Sequence, residues 1–262
     1  MKRIALLAMA ACCYAAVPGA ARAAQPLVLA FDELRPWKTY GNGEYGGAYT
    51  EIVRELSRRT GQQLVISSCP LKRCLFMLEH GSADIIIGLR DTPERRRYLH
   101  FLHTPYRSSS SDKVFYVQEG RGDSIRGYAD LARLRIGTKL GAEYLQQFDR
   151  DTSLQKDAVA DMEINFRKLA LGRLDAVLIP EDQGEALLAQ LRLEPQIDKA
   201  VYRIADNSSR SVGISRASHA FARVGEFERA MRDMVKDGTL AALYKRYYYD
   251  AYQISPAAVQ IK

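Results

Sequence analysis

A chain of 262 residues can bury a sizeable core, as one large domain or as two small lobes. Its formal charge of +7 comes from 38 basic and 31 acidic side chains, a mild excess that gives no reason to invoke nucleic acid or a membrane surface. Beyond the N-terminal segment no apolar stretch is long enough for a membrane helix.

Lys2 and Arg3 precede an apolar run over residues 4–11 that is too short to span a bilayer. Small residues follow and end in Ala21-Arg22-Ala23, the A-x-A pattern of a signal peptidase site. Residues 1–23 are therefore read as a signal peptide and the remainder as an exported, periplasmic chain. Met9-Ala10-Ala11 ahead of Cys12 makes a poor lipobox, which weighs against a lipoprotein. Loss of Lys2, Arg3 and Arg22 lowers the charge from +7 to +4. Cys12 and Cys13 leave as well, so only Cys69 and Cys74 remain. They bracket Pro-Leu-Lys-Arg, with Pro70 suited to open a helix. An oxidising compartment favours a disulfide between them over two buried thiols, contributing about 2 kcal/mol for so short a loop. None of the four histidines stands near them at a ligand spacing, so no metal is expected.

The elements then follow in order. Residues 26–31 (PLVLAF) read as a buried strand, and 49–61 as an amphipathic helix closed by Gly61. Residues 63–68 are the next strand, 70–81 the next helix and 83–89 the third strand. Strand, helix, strand, helix, strand implies a parallel sheet with right-handed crossovers, and ligands outside the carboxyl ends of its strands. A second alternation begins with strands at 112–118 and 134–141 and a helix from about Glu143. A helix at 162–172, a strand at 174–180 and a helix at 181–191, which ends before residues 199–205 (KAVYRIA), come next. Residues 211–218 (SVGISRAS), a charged helix over about 220–236 and a tyrosine-rich helix over 237–252 end the chain. The chain would cross between lobes near 105–115 and again near 201–213. That gives a discontinuous first lobe, 24–107 with 206–262, and a second lobe, 108–205.

Residues 85–106 (IIIGLRDTPERRRYLHFLHTPY) run from a buried strand through a glycine and a Thr-Pro turn into Arg95, Arg96 and Arg97. This stretch belongs to an ordered set: GEYGGAYTEIVRELSRRTG, PLKRCLFMLEHGSADIIIG, TPERRRYLHFLHTPY, LRIGTKLGAEY, KLALGRLDAVL and FERAMRDMVKDGTLAALYKRYY. Together, covering nearly the whole exported chain, these segments resemble the extracellular solute-binding proteins of polar-amino-acid ABC transporters, family 3. The resemblance implies an α/β protein of the type II periplasmic-binding fold. Each of two lobes would be a mainly parallel sheet flanked by helices, with two crossing strands as the hinge. It also implies a small-molecule ligand in the cleft, an ABC permease in the inner membrane as partner, a monomer and no cofactor.

By the same resemblance Arg95, after the Thr-x-x turn, clamps the ligand's carboxylate. The physical chemistry agrees. Thr92 can cap, Pro93 suits a first helical position, and a planar guanidinium grips a carboxylate by two parallel bonds as lysine cannot. Arg96 and Arg97 are read as solvated. Gly88 and Arg90 are expected to line the pocket. Arg90 replaces a small hydroxyl residue of relatives and is a second candidate cation. Phe31 and Trp37 are candidates to stack on the ligand, with the core as the alternative for either, and Leu71 matches an apolar pocket position. On the second lobe Gly141, Ala142 and Glu143 match a segment whose backbone and hydroxyls hold the carboxylate, although Ala142 and Glu143 replace hydroxyl residues. After GRLDAVL relatives offer an aspartate to the ligand's ammonium, where this chain has Pro180. Glu181 or Asp182 would substitute only if the loop is shifted, which puts a standard α-amino acid in question.

Capture of a small anionic or zwitterionic solute is the expected function. The alternative within this fold is a dehydratase of the cyclohexadienyl type, which needs a carboxylic acid of raised pKa. Glu143 or Glu181 would have to serve, and neither sits in a catalytic motif. A stand-alone sensor docking on a membrane receptor would share the cleft and differ only in partner. His100 and His103 enter an extended segment and are read as structural.

Overall fold

The computed structural model describes residues 25–261. The signal peptide expected over residues 1–23 lies outside the described residues, and no helix among the described residues is long and apolar enough to cross a membrane. The chain opens with β1 (Leu27–Phe31), a hairpin of β2 (Thr39–Gly41) and β3 (Glu44–Gly46), α1 (Ala48–Arg59), β4 (Leu64–Ser68), α2 (Leu71–Glu79) and β5 (Ile85–Ile86). A 3-10 turn, Arg95–Arg97, leads into β6 (Leu99–Phe101). After a connecting segment come β7 (Lys113–Gln118), β8 (Arg135–Lys139), α3 (Gln146–Arg150), β9 (Gln155–Val159), α4 (Met162–Ala170), β10 (Ala176–Pro180), α5 (Glu181–Leu191) and β11 (Ile197–Ile204). The chain returns through β12 (Gly213–Ser215) to α6 (Val224–Lys236), α7 (Thr239–Tyr244) and a π-helical turn, Lys245–Asp250.

Two five-stranded sheets result, ordered β4-β1-β5-β12-β6 and β11-β7-β10-β8-β9. The β-α-β segments pair in parallel, β4 with β1 and β1 with β5 in the first sheet, β10 with β8 and β8 with β9 in the second. The other pairings are antiparallel, so each sheet is mixed. The cause is the crossing. β12 arrives from the second sheet and runs against β5 and β6, while β7 arrives from the first and runs against β10 and β11. The two connecting segments lie side by side: Tyr106 N–H donates to the Arg210 carbonyl, Arg210 N–H to that of Arg107 and Ser110 N–H to that of Ser208, each at 2.9 Å.

The helices form where the sequence places an apolar stripe against a sheet. In α1, Ile52, Val53 and Leu56 are fully buried, Glu51 stands in the first turn and Arg58 and Arg59 in the last, which complements the helix dipole. Its start depends on Gly47, whose φ is +93° and whose added Cβ would stand 2.4 Å from the Trp37 carbonyl oxygen. That close approach seats the Trp37 loop on the helix. Trp37, 1% exposed, is stacked between Tyr49 (centroids 5.0 Å apart) and Tyr248 (4.6 Å), with Tyr244 edge-on at 6.0 Å.

Several elements depart from their sequence pattern. β5 keeps only two residues of the expected strand because Gly88 turns the chain at φ +98° and the Ile87 carbonyl accepts from the Lys38 ammonium at 2.9 Å instead of a strand. α3 begins at Gln146, not near Glu143, because Gly141 lies at φ +76° and the Tyr144 hydroxyl accepts the Lys139 N–H at 2.8 Å, which holds that segment as a loop. β9 and the β2-β3 hairpin were not legible: β9 is a polar edge strand with neither alternation nor an apolar run. The tyrosine-rich helix changes from α to π geometry after Tyr244 while still burying Tyr244 and Tyr248. His100 and His103 converge on Glu228 of α6, which accepts the His103 N–H at 3.0 Å and lies 3.2 and 2.7 Å from the two imidazoles. This bracket ties the end of β6 to the C-terminal helix.

Cys69 and Cys74 are joined, with Cα atoms 5.5 Å apart, and the link pins the end of β4 to the first turn of α2. Periplasmically expressed protein should therefore show no alkylatable thiol by intact mass, and the Cys69→Ser/Cys74→Ser variant should lose about 2 kcal/mol in denaturant unfolding. Two free thiols without reductant would remove the bridge from the account of stability.

Candidate ligand-binding site

Loops at the carboxyl ends of the parallel strands meet around a cavity of about 220 Å³ between the two sheets. The first sheet and its loops supply Trp37, Leu71, Gly88, Arg90 and Arg95; the second supplies Lys113, Lys139, Gly141, Ala142, Glu143, Pro180 and Asp182; the connecting segments supply Arg107, Asp206 and Arg210. Eight of the ten residues expected at a ligand site thus lie on one cavity. The sequence missed most of its charged members.

Arg95 owes its orientation to the turn before it. The Thr92 hydroxyl accepts the Arg95 N–H at 3.3 Å, and Nη1 of Arg95 donates to the Arg90 carbonyl at 2.8 Å. Half-buried, it forms no ion pair among the described residues. Arg96, by contrast, is exposed and grips Asp91 through two bonds of 2.6 and 2.7 Å. Gly88 lines the cavity, but its N–H donates to the Tyr106 hydroxyl at 3.1 Å and is not open to a ligand. A Cβ at Gly88 would crowd Leu34 at 3.2 Å and the buried Lys38 at 3.4 Å.

Two acids organise the remaining cations. Asp206 accepts from Lys113 at 2.7 Å and from Arg90 and Arg210 at 3.2 Å each, with Ser208 on its other oxygen. Burial opposes its charge, yet the Lys113 and Ser208 hydrogen bonds and the surrounding cations hold its carboxyl well below the usual carboxylate range. Asp182, in the first turn of α5, accepts from Arg107, and both side chains are under 5% exposed. Arg107 also donates to Ser111 at 3.0 Å and lies 5.3 Å over the Trp37 ring. Its Nε is buried and meets no acceptor among the described residues. Burial would lower the Arg107 pKa, but Tyr49 and Asp182 reverse this and raise it.

Two expected residues lie elsewhere. Phe31 is 1% exposed in the core, edge-on to Tyr45 at 4.8 Å, and does not reach the cavity. Glu181 turns away to Lys199 (2.9 Å) and Arg203 on β11. Successive helical residues point about 100° apart, so when Asp182 faces the cavity its neighbour cannot. Trp37 forms part of the cavity wall but, sandwiched by tyrosines, is a buried wall and not a free lid. Gly141, Ala142 and Glu143 are exposed at the mouth, where the Ala142 N–H is taken by the Lys139 carbonyl at 3.1 Å. Lys139 itself, like Arg95, forms no ion pair among the described residues.

Comparison with known proteins bears on the family and the fold. Residues 27–250 match the sequence model of the bacterial extracellular solute-binding proteins, family 3. A probable histidine-binding protein of Campylobacter jejuni is 24% identical over 159 residues, 60% of this chain and 60% of that protein, so the matched part spans less than two thirds of the relative. An amino acid ABC transporter substrate-binding protein of Streptococcus pneumoniae, solved with L-arginine, superposes with a TM-score of 0.70 at 18% identity over 88% of this chain and 96% of that one. The GluR0 ligand-binding core of Nostoc punctiforme, solved with L-glutamate, gives 0.70 at 17% identity over 85% and 99%. At these identities the solved structures share the fold, two lobes each built on a mixed sheet.

Asp182→Ala should cost about 3 to 5 kcal/mol of stability, because it strands a buried guanidinium, while Arg107→Met/Asp182→Leu should recover much of it. Equal loss in both variants would mean that packing, not the charge pair, sets the effect. Asp206 gives a pH signature. Its folded pKa is depressed, so its contribution is full above the unfolded value near ~3.9 and is lost as pH falls below it. The melting difference between wild type and Asp206→Asn should therefore be largest at neutral pH and shrink below about pH 4. A difference that stays constant through that range would show that Asp206 is not held ionised by its cations.

Proposed function

We propose that this chain, which belongs to the bacterial extracellular solute-binding proteins of family 3, captures a small anionic or zwitterionic solute between its sheets and presents it in the periplasm to an ABC permease. The observation that carries the reading is Arg95: a guanidinium oriented by Thr92 and the Arg90 carbonyl, on the cavity wall, without a carboxylate partner. Such a group needs an anion, and a carboxylate satisfies its planar fork. In this reading residues 24–107 with 206–262 form one lobe and 108–205 the other, and the paired connecting segments are the hinge on which the lobes close. The relatives named above are binding proteins, not enzymes. Of the acids near the cavity, Asp182 and Asp206 are paired with cations, Glu143 is exposed and Glu181 lies off the cavity.

A thermal-shift screen of amino acids and carboxylates supplies the ligand, since a solute at 100 times its Kd stabilises by about 2.7 kcal/mol. With that ligand, Arg95→Ala should lose about 2 to 5 kcal/mol, roughly 30-fold or more in affinity, by calorimetry. Arg95→Lys should recover little, and Arg96→Ala, which breaks only an exposed pair, should change affinity by no more than a few tenths of a kcal/mol. Equal and small losses at both positions would move the anion site away from Arg95.

A further inference from the structure

Resting on the solute-binding reading above, we infer that the cleft selects a solute carrying two anionic groups and no ammonium group, a short dicarboxylate being the simplest member. Six cations line the cavity, Arg90, Arg95, Arg107, Lys113, Lys139 and Arg210, against three acids, Glu143, Asp182 and Asp206. The two deeper acids are already paired with cations. Oδ2 of Asp206 serves Lys113, Arg90 and Arg210, and its Oδ1 serves the Ser208 N–H at 3.1 Å and its hydroxyl. Asp182 serves Arg107 through one oxygen and the Gln183 N–H, at 2.8 Å, through the other. β10 ends in Pro180, which brings no carboxylate to the wall, and Glu143 is exposed at the mouth. An ammonium inside this cavity would meet an excess of like charge, and the one lining acid without a cation partner among the described residues, Glu143, stands at the exposed mouth, so a desolvated ammonium is disfavoured.

The unspent donors, meanwhile, come from both sheets. Arg95 follows β5 of the first sheet and Lys139 ends β8 of the second, and neither has a carboxylate partner among the described residues. The chemistry that answers both is a short chain with a carboxylate at each end. Arg95 would take one end by its fork and Lys139 the other as a point charge. The cavity of about 220 Å³ lies below the range of drug-sized pockets, in keeping with a solute of few atoms.

Calorimetry and thermal shift with matched probes test this. Succinate, glutarate and adipate are set against L-glutamate, butyrate, L-arginine and L-histidine. The expected result is that one dicarboxylate binds at least about 30-fold tighter than L-glutamate or butyrate, since each of these gains an ammonium or lacks a charge. Lys139→Met should weaken that dicarboxylate by about tenfold or more and leave butyrate nearly unchanged, while Lys139→Arg retains most of the affinity. Melting of each variant without ligand confirms that it is folded. Tighter binding of L-glutamate or of a basic amino acid than of any dicarboxylate overturns the inference and leaves the solute-binding reading standing. An unchanged dicarboxylate affinity in Lys139→Met also overturns it, by removing the second anion site. If no probe binds, the dicarboxylate inference falls, while the solute-binding reading is decided separately by the wider screen above.

Discussion

The Arg107–Asp182 pair is the contact on which the arrangement of the two sheets depends. Arg107 sits on the connecting segment after β6, Asp182 on the first turn of α5, and both side chains are almost entirely removed from water. Two buried charges are favourable only when the geometry is close and the remaining polar atoms find partners. Here Ser111 takes a second donor of Arg107, the Trp37 ring lies beneath the guanidinium, and Asp182 accepts the Gln183 N–H with its second oxygen. The Tyr248 hydroxyl, from the C-terminal π turn, reaches the Asp182 carbonyl at 2.8 Å. One ion pair therefore fastens the second sheet to the aromatic core of the first, across the cavity they enclose.

The tyrosines around it matter as hydrogen-bonding groups. Their phenols are neutral at physiological pH, and burial raises the pKa values of Tyr49, Tyr106 and Tyr244 further. The Tyr106 hydroxyl accepts the Gly88 N–H, and the Tyr244 hydroxyl donates to the Tyr106 carbonyl at 2.9 Å. The loop after β5 is thereby anchored to the connecting segment and the C-terminal helix at once. That same loop carries Arg90 and Arg95, so the rigidity of the aromatic core is transmitted to the cation that faces the cavity.

Electrostatically, the cavity is an excess of cations held in place by few acids. Asp206, on the returning segment, gathers cations from three parts of the chain, and Asp182 neutralises a fourth. What remains uncompensated, Arg95 and Lys139, is left on the wall because no acid among the described residues pairs with it. A site of this kind binds by completing a charge balance that the protein begins but does not finish.

The sequence by itself determined the local elements and the cation-bearing turn. Apolar stripes and Gly61 marked α1, Cys69 and Cys74 stood a bridgeable distance apart, and Thr92-Pro93 fixed how Arg95 would be presented; each follows from residues within a few positions of one another. Only the tertiary structure decided the rest. Arg107 and Asp182 are 75 residues apart and Arg90 and Asp206 are 116 apart, so no local pattern couples them. Phe31, at the end of β1, and Trp37, in the loop after it, are both aromatic, yet packing put one wholly in the core and the other on the cavity wall. Glu181 and Asp182 are adjacent and alike in charge, and the phase of α5 alone chose which one faces the cavity. Helix periodicity and turn chemistry are properties of neighbours in sequence, whereas charge pairing is settled by which groups folding brings within a few ångströms.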